Sequence, residues 1–118
     1  MRTHTLMLEL PIPKNDPITA GEIIEEEFRK PLGLTQVELA KALGISRVRY
    51  TEIANGKRGV TIDTAFRLAR VFDTSPQLWL NIQLVYDIWH MEHSAHAAEI
   101  RKLRRLKMKP PKARTAKA

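Results

Sequence analysis

The sequence contains no cysteine. A disulfide framework, a thiolate zinc site and a cysteine nucleophile are therefore excluded, and a chain without disulfides suits a reducing cytoplasm. No apolar run approaches the roughly 20 residues that a membrane helix requires, and residues 1–10 lack the apolar region and cleavage site of a signal peptide. These absences predict a cytoplasmic protein with no membrane partner.

Catalytic motifs are also lacking. The sequence has no Ser/His/Asp arrangement and no phosphate-binding loop, and the acidic run Glu25–Glu27 is more typical of a solvated first turn than of a catalytic pair. His90, His93 and His96 suggest a metal site on a helix, but a spacing of three rotates successive side chains by roughly 60° on an ideal helix, which separates the ligands. We therefore predict a binding protein without a cofactor, with a metal-dependent enzyme as an alternative.

The positive charge is concentrated at one end of the chain. The net charge is +7, but residues 99–118 hold nine basic residues and one acidic residue, whereas residues 1–98 hold eleven basic and twelve acidic residues. The body of the protein is therefore not basic. Any binding of nucleic acid by that body must depend on a local basic surface.

Five segments have the periodicity of helices. Capping boxes of the form T-x-x-E at Thr19 and Thr35 open the first two helices. Ser46 and Thr61 can cap the next two, and Ser75-Pro76 opens the fifth with proline in the first turn. We predict that Pro31 and Gly33 stop the first helix and that Asn55-Gly56 ends the third. The predicted buried stripe of the fourth helix is Ala65, Phe66, Ala69 and Phe72.

A chain of 118 residues with 43% hydrophobic content predicts one compact domain with tails. We predict an all-α, five-helix domain over residues 19–93, an extended arm over 1–18 and a basic helical extension with a disordered tail over 94–118. The extension stays compatible with a helix through Leu106. The arm has apolar residues at alternate positions and either adds as a strand to another sheet edge or packs loosely on its own domain. These apolar residues are Leu6, Leu8, Leu10 and Ile12.

Residues 35–56 are predicted to fold as helix, glycine turn and helix, with the second helix running from about Ser46 to Asn55. Ala40 is small where the two helices cross, and Gly44 permits the positive φ that the turn needs. Packing of the second helix on the first leaves one of its faces outward. That face comprises Ser46, Arg47, Val48, Thr51 and Glu52.

An outward face of this kind fits the major groove of DNA. Side chains near the helix N-terminus and one turn further on reach base edges, while the N-terminus itself faces phosphate. Arg47 is the best candidate for bidentate recognition of guanine. The sequence therefore predicts that the chain binds a specific double-stranded DNA operator.

The fifth helix has more apolar residues than the core of its own domain needs, which predicts a homodimer. The half-sites of a palindromic operator would then lie about one helical turn apart. Trp79 and Trp89 are interpreted as core and dimer anchors rather than as platforms for base stacking. The predicted dimer surface is Leu78, Trp79, Ile82, Val85, Tyr86 and Trp89.

The motif T-Q-x-x-L-A-x-x-L-G-x-S at residues 35–46 resembles the phage-repressor, or XRE-type, helix-turn-helix family. A longer ordered set of motifs over residues 17–87 resembles the HigA-type antitoxins, which implies a lambda-repressor-like fold. Two positions depart from the pattern, since Ala20 replaces a frequent proline and Tyr50 occupies a position that is usually aliphatic. The longer set includes Gly21-Glu22-Ile23, Pro31-Leu32-Gly33-Leu34, Asn55-Gly56-Lys57-Arg58, Asp63-Thr64-Ala65 and Trp79-Leu80-Asn81.

The resemblance implies roles for the residues of the motif. Gln36 contacts a phosphate and braces residue 47, whereas Arg47, Val48 and Glu52 read bases. Arg49 lies towards the flank of the helix and serves a phosphate or a base. The residues that hold the DNA backbone are Asn55, Lys57 and Arg58.

The resemblance also implies a protein partner, because HigA-type antitoxins repress their own operon and neutralise a RelE-like toxin that cleaves messenger RNA. The arm Leu6–Ile12 and the acidic run Glu25–Glu27 are candidate toxin surfaces, the second because such toxins are basic. The alternative is a stand-alone transcriptional regulator with no toxin. The basic segment Arg101–Lys117 is a solubilising tail, a nonspecific phosphate-binding extension or a toxin contact.

Overall fold

The computed structural model describes residues 12–107, and within that range it contains six helices and no strand. This confirms the predicted all-α domain of five helices followed by a helical extension. We number the helices in chain order. They are α1, built of Ala20–Ile23, Ile24–Arg29 and Lys30–Leu32, then α2 (Gln36–Leu43), α3 (Arg47–Ala54), α4 (Ile62–Phe72), α5 (Pro76–Glu92) and α6 (Ala95–Arg101).

Helix α1 changes its winding halfway along. Thr19 opens it through the predicted capping box. The middle segment, Ile24–Arg29, is a π-helix, whose wider turn precedes Pro31. Proline has no N–H to donate and would crowd the carbonyl four residues earlier, so a local change of winding accommodates it. Pro31 thus lies inside the helix, and Gly33 alone terminates it in the left-handed conformation, with φ of 72°.

Helices α2 and α3 form the predicted helix, glycine turn and helix. The hydroxyl of Thr35 accepts from the backbone N–H of Glu38 at 3.0 Å in the second capping box. Gly44 has φ of 71°, as the turn requires. The hydroxyl of Ser46 caps α3 by accepting from the N–H of Arg49 at 3.0 Å. The predicted ends of both helices are confirmed, because each is determined by a cap adjacent in sequence.

The core contains a cluster of three aromatic rings from α1, α4 and α5. The ring centroids of Phe28 and Phe72 are 4.3 Å apart, and those of Phe28 and Trp79 are 5.5 Å apart. The indole N–H of Trp79 donates to the hydroxyl of Thr74 at 2.7 Å, so its polar atom is satisfied. The other large buried side chains are Tyr50, Ile24, Leu39, Ile53 and Leu68.

The buried stripe of α4 differs from the prediction at one position. Phe66 is 60% exposed, whereas Leu68 is fully buried beside Ala65 and Ala69. Residues 65, 68, 69 and 72 follow the spacing of one helix face, and position 66 lies about 100° away from position 65. The prediction of Phe66 in the core was therefore wrong.

The end of the chain is less helical than predicted. Helix α5 ends at Glu92, Ser94 caps α6, and α6 ends at Arg101. Leu103 and Leu106 are exposed and non-helical, so the extension of helix through Leu106 was wrong. The predicted disorder of residues 108–118 lies outside the described residues. Within residues 12–107, no helix has the length and apolarity needed to span a bilayer.

The described part of the N-terminal arm lies against the end of α5. The indole N–H of Trp89 donates to the carbonyl of Lys14 at 3.2 Å, and His90 Nε2 lies 3.1 Å from Asp16 Oδ1. These contacts agree with an arm that packs on its own domain. Most of the alternating segment from Leu6 to Ile12 lies outside the described residues, so the strand alternative stays open.

Candidate nucleic-acid interface

The outward face of α3 borders a shallow groove of about 400 Å³. Most of the side chains predicted to face DNA lie together along it, whereas Gln36, Ser46, Arg49 and Arg58 do not line it. Ser46 acts as the cap of α3 at the edge of this surface. The lining residues are Arg47, Val48, Thr51, Glu52, Asn55 and Lys57.

Arg47 and Val48 occupy the first turn of α3 and point into solvent. Val48 is 68% exposed although it is apolar. Arg47 is exposed, and no carboxylate within residues 12–107 forms an ion pair with it. An unpaired guanidinium beside an apolar side chain offers the two chemistries that read the major groove, bidentate donors for guanine and an apolar surface for the thymine methyl.

Glu52 and Arg58 form an ion pair at the far end of the groove. Arg58 Nε donates to Glu52 Oε1 at 2.9 Å, and the backbone N–H of Lys57 donates to the Glu52 carbonyl at 2.8 Å. The pair is exposed and adds little to folding stability. It nevertheless orients Arg58 and partly neutralises the carboxylate that was predicted to read a base.

Gln36 contacts α1 rather than α3. Its Nε2 donates to Glu25 Oε2 at 3.3 Å, and the Gln36 side chain forms no other hydrogen bond within residues 12–107. The expected brace on Arg47 is therefore absent from this part of the chain. The implied phosphate contact of Gln36 stays a prediction.

Glu25 is the centre of a polar network that anchors α3. Its carboxylate accepts from the phenol of Tyr50 at 2.6 Å and from Arg29 Nε at 2.8 Å. The guanidinium of Arg29 also donates to the Leu34 carbonyl at 2.8 Å, which ties the end of α1 to the start of α2. The network explains the unusual tyrosine, because the phenol satisfies a carboxylate that an aliphatic residue would leave short of a donor.

Glu25 therefore does not belong to a solvated acidic run. Its side chain is only 13% exposed, whereas Glu26 and Glu27 are exposed. Burial alone would raise the pKa of Glu25, but the hydrogen bonds from Arg29 and Tyr50 and the charge of Arg29 together lower that pKa below its ordinary value. Burial and the bond to Glu25 raise the pKa of Tyr50, so its phenol stays protonated and donates.

Arg49 is engaged within the fold. Its Nη2 donates to Asp63 Oδ2 and to Thr64 Oγ1, both at 2.8 Å, at the start of α4. This structure directs the guanidinium to α4, and the predicted contact of Arg49 with DNA stays a prediction. No local pattern predicts the pairing of Arg49 with Asp63, because the two residues lie fourteen positions apart in different helices.

The structure differs from the predicted dimer surface at the two tryptophans, Trp79 and Trp89. Trp79 is fully buried in the monomer, so it is removed from that surface. Trp89 is half-buried and its indole N–H is used by the N-terminal arm. Leu78 is exposed, and the remaining members are half-buried, namely Ile82, Val85 and Tyr86.

The three histidines are separated by the break between α5 and α6. His93 stacks on the ring of Trp89 at 3.8 Å, and His90 lies against Tyr86 and Asp16. Across residues 12–107, no three histidine or carboxylate side chains are grouped as metal ligands would be.

Comparisons with known proteins agree on one family. A helix-turn-helix family model matches residues 26–79. An uncharacterised helix-turn-helix-type transcriptional regulator of Haemophilus influenzae is 43% identical over 77 residues, covering 65% of this chain and 72% of that protein. The antitoxin HigA-1 of Vibrio cholerae is 39% identical over 77 residues, covering 64% of this chain and 71% of that protein.

Solved structures extend the likeness to three dimensions. The antitoxin GraA superposes with a TM-score of 0.73 at 37% identity, covering 78% of this chain and 99% of that one. The same antitoxin in complex with its operator gives a TM-score of 0.70 at 37% identity, covering 81% of this chain and 99% of that one.

Proposed function

The chain belongs to the family of helix-turn-helix DNA-binding antitoxins that includes HigA, and from that membership we propose that it binds a specific operator through α3. The observation that carries the proposal is the exposed pair Arg47 and Val48 at the start of a capped helix. A duplex bound there meets a guanidinium, an apolar side chain and the partial positive charge of the helix N-terminus. DNA binding of this kind also implies a cytoplasmic location.

In this proposal the residues of the interface divide by role. Arg47 and Val48 read base edges. Glu52 also reads a base, and its ion pair with Arg58 breaks when it does so. The phosphates are held by residues around the end of α3 and the start of α2, two of which, Gln36 and Arg58, would exchange hydrogen bonds to Glu25 and Glu52 for phosphate. The phosphate-holding residues are Gln36, Asn55, Lys57 and Arg58.

Selection of binding sites from a random duplex library tests the proposal directly. We expect the purified protein to enrich one two-fold symmetric sequence with half-sites about one helical turn apart. Its affinity for that duplex should exceed its affinity for a scrambled duplex at least about 1,000-fold at physiological salt. Enrichment of no sequence would contradict the proposal.

We propose further that the protein binds its operator as a homodimer through the outer face of α5. The exposed Leu78 and the half-buried Val85 supply apolar area that the monomer does not cover. Leu78→Asp should shift the mass measured by light scattering at micromolar concentration towards the monomer. Leu84→Asp is the matched control, because Leu84 is an exposed apolar residue of the same helix outside the predicted surface. A monomeric mass for the unaltered protein would refute the dimer.

We also propose that the protein represses its own operon and neutralises a RelE-like toxin that cleaves messenger RNA. Support comes from the kinship with antitoxin HigA-1 and from the exposed carboxylates of Glu26 and Glu27, which suit a basic partner. Glu26→Lys combined with Glu27→Lys should weaken capture of a small basic protein encoded beside this gene, whereas Glu99→Lys on α6 should not. Equal capture by all three proteins would remove α1 from the toxin surface.

A stand-alone transcriptional regulator is the second candidate, favoured by the relative from Haemophilus influenzae that is named as a regulator. The two functions share the interface on α3 and differ only in the toxin. Co-purification of the product of a neighbouring reading frame supports the antitoxin. Absence of any such reading frame supports the regulator.

A further inference from the structure

The guanidinium of Arg49 is held between α3 and α4 although Arg49 belongs to the first turn of the recognition helix. One nitrogen, Nη2, lies 2.8 Å from both Asp63 Oδ2 and Thr64 Oγ1. Thr64 is only 2% exposed and lies 3.2 Å, oxygen to oxygen, from the capping hydroxyl of Thr61. The acceptors of Arg49 are therefore fixed in place by the start of α4.

Asp63 receives a second arginine at the same oxygen. Arg67 Nε donates to Asp63 Oδ2 at 2.8 Å, and Arg67 Nη1 donates to the carbonyls of Leu43 and Gly44 at 3.0 and 3.2 Å. One carboxylate thus connects the end of α2, the start of α3 and the first turn of α4. Hydrogen bonds from Arg67 and then Arg49 lower the pKa of Asp63, so the carboxylate remains charged at neutral pH.

The position of Arg49 in α3 determines which DNA contact its side chain could make if it were not bound to α4. Arg49 is two residues after Arg47, so it projects from α3 about 200° around the axis from the base-reading side chain. A long, charged side chain in the first turn of such a helix is within reach of the phosphates that flank the groove. Released from α4, it would add one phosphate contact, which carries no sequence information.

We propose that Asp63 is a positioning residue that withholds Arg49 from DNA phosphate, so that Arg47 is the one arginine of α3 that contacts the duplex. The inference rests on the operator binding proposed above. Its consequence is a lower affinity for every DNA sequence and a weaker salt dependence than a free Arg49 would give, because a phosphate contact strengthens binding to every sequence alike.

Salt dependence of DNA binding separates a free Arg49 from a captured one. The slope of log affinity against log salt becomes steeper by about 0.9 for each phosphate contact. One additional contact therefore makes the loss of affinity between 50 and 200 mM salt about 3.5-fold larger. We would measure this slope by fluorescence anisotropy on the duplex that the unaltered protein selects, and on a scrambled duplex of equal length. Four proteins are compared with the unaltered chain, namely Asp63→Asn, Arg49→Ala, the double variant and Asp73→Asn.

The two single variants should behave differently. Arg49→Ala should leave the slope unchanged, because the captured side chain makes no phosphate contact. Asp63→Asn should steepen the slope on both duplexes, and adding Arg49→Ala to it should remove about 0.9 of that slope. The second comparison isolates Arg49, because loss of the carboxylate charge is common to both proteins. Asp73→Asn removes a carboxylate from the other end of the same helix, at a positive φ that asparagine tolerates, and should not steepen the slope by that amount.

Two results would overturn the inference. One is a shallower slope for Arg49→Ala in the otherwise native chain, which needs no change at Asp63 and so does not depend on the folding of that variant. The other is an equal slope for Asp63→Asn and the double variant. Titration of the Asp63 carboxyl by NMR in the DNA-free protein distinguishes failure of this inference from failure of operator binding. Its pKa should lie below the ordinary value and rise in Arg49→Ala whether or not the protein selects an operator.

Discussion

The substitution Gly21→Ala tests how closely α1 approaches α3. A Cβ at position 21 would lie 1.9 Å from the carbonyl oxygen of Ile53 and 2.9 Å from the Cα of Ala54. Both atoms belong to the backbone of α3, so no side-chain rotation relieves the overlap. The two helices would have to separate by about 1.5 Å to reach an ordinary contact distance.

We expect Gly21→Ala to lower the free energy of unfolding, whereas helix propensity alone would predict an increase. In an unconstrained helix, alanine stabilises by about 0.5–1 kcal/mol relative to glycine. Overpacking typically lowers stability by about 1–3 kcal/mol, and a clash with backbone atoms, which cannot rotate away, falls at the upper end of that range. We therefore expect a net loss of about 2 kcal/mol in the free energy of unfolding, which lowers Tm by roughly 10 °C for a domain of this size.

Thermal and urea unfolding followed by circular dichroism provide the assay, with Gly33→Ala as the matched control. Gly33 has φ of 72° and open space where its Cβ would lie, so alanine there carries only the left-handed backbone cost of about 1 kcal/mol. Position 21 should be the more sensitive of the two even though position 33 has the unusual backbone. A Gly21→Ala protein as stable as the native one would refute the close packing of α1 on α3.

Three further predictions concern the polar network and the tail. Tyr50→Phe should lose about 1.5 kcal/mol of unfolding free energy at neutral pH, because the charged Glu25 loses one donor but keeps Arg29 and Gln36; no loss in urea unfolding would count against the network. The stability that ionised Glu25 contributes is complete above its ordinary pKa of 4.5 and is lost as the pH falls through its lower pKa in the folded protein. The difference in Tm between the native protein and Glu25→Gln should therefore shrink on acidification, and a difference that grows would contradict this prediction. Deleting residues 107–118 should flatten the salt dependence of operator binding without changing the preferred sequence, and an unaltered slope would assign that segment a role away from DNA.

The caps and turns could be predicted because their causes are local. Thr35, Gly44 and Ser46 each determine a helix end through atoms a few residues away, and the structure confirms all three ends. The first helix was less predictable. Pro31 reads as a stop in the sequence, but a change to π-winding lets the helix pass it.

The interface was predictable only for side chains that make no long-range contact. Arg47 and Val48 project outward by the phase of α3 alone. The partners of Arg49 and Glu25 depend on how α4 and α1 pack, which no spacing within the sequence reveals. Tyr50 offered a partial signal, because a tyrosine at a buried, usually aliphatic position needs a polar partner, although nothing in the sequence identifies that partner as Glu25, 25 positions away.

A base-by-base affinity profile of the selected operator shows whether Arg47 reads a base edge. Arg47→Ala should cost about 1–3 kcal/mol on the preferred duplex and abolish discrimination at one base pair of each half-site. Lys57→Ala should weaken all sequences alike, and Arg70→Ala on α4 should change neither affinity nor preference. A profile for Arg47→Ala with the native preference at every position would show that Arg47 reads no base.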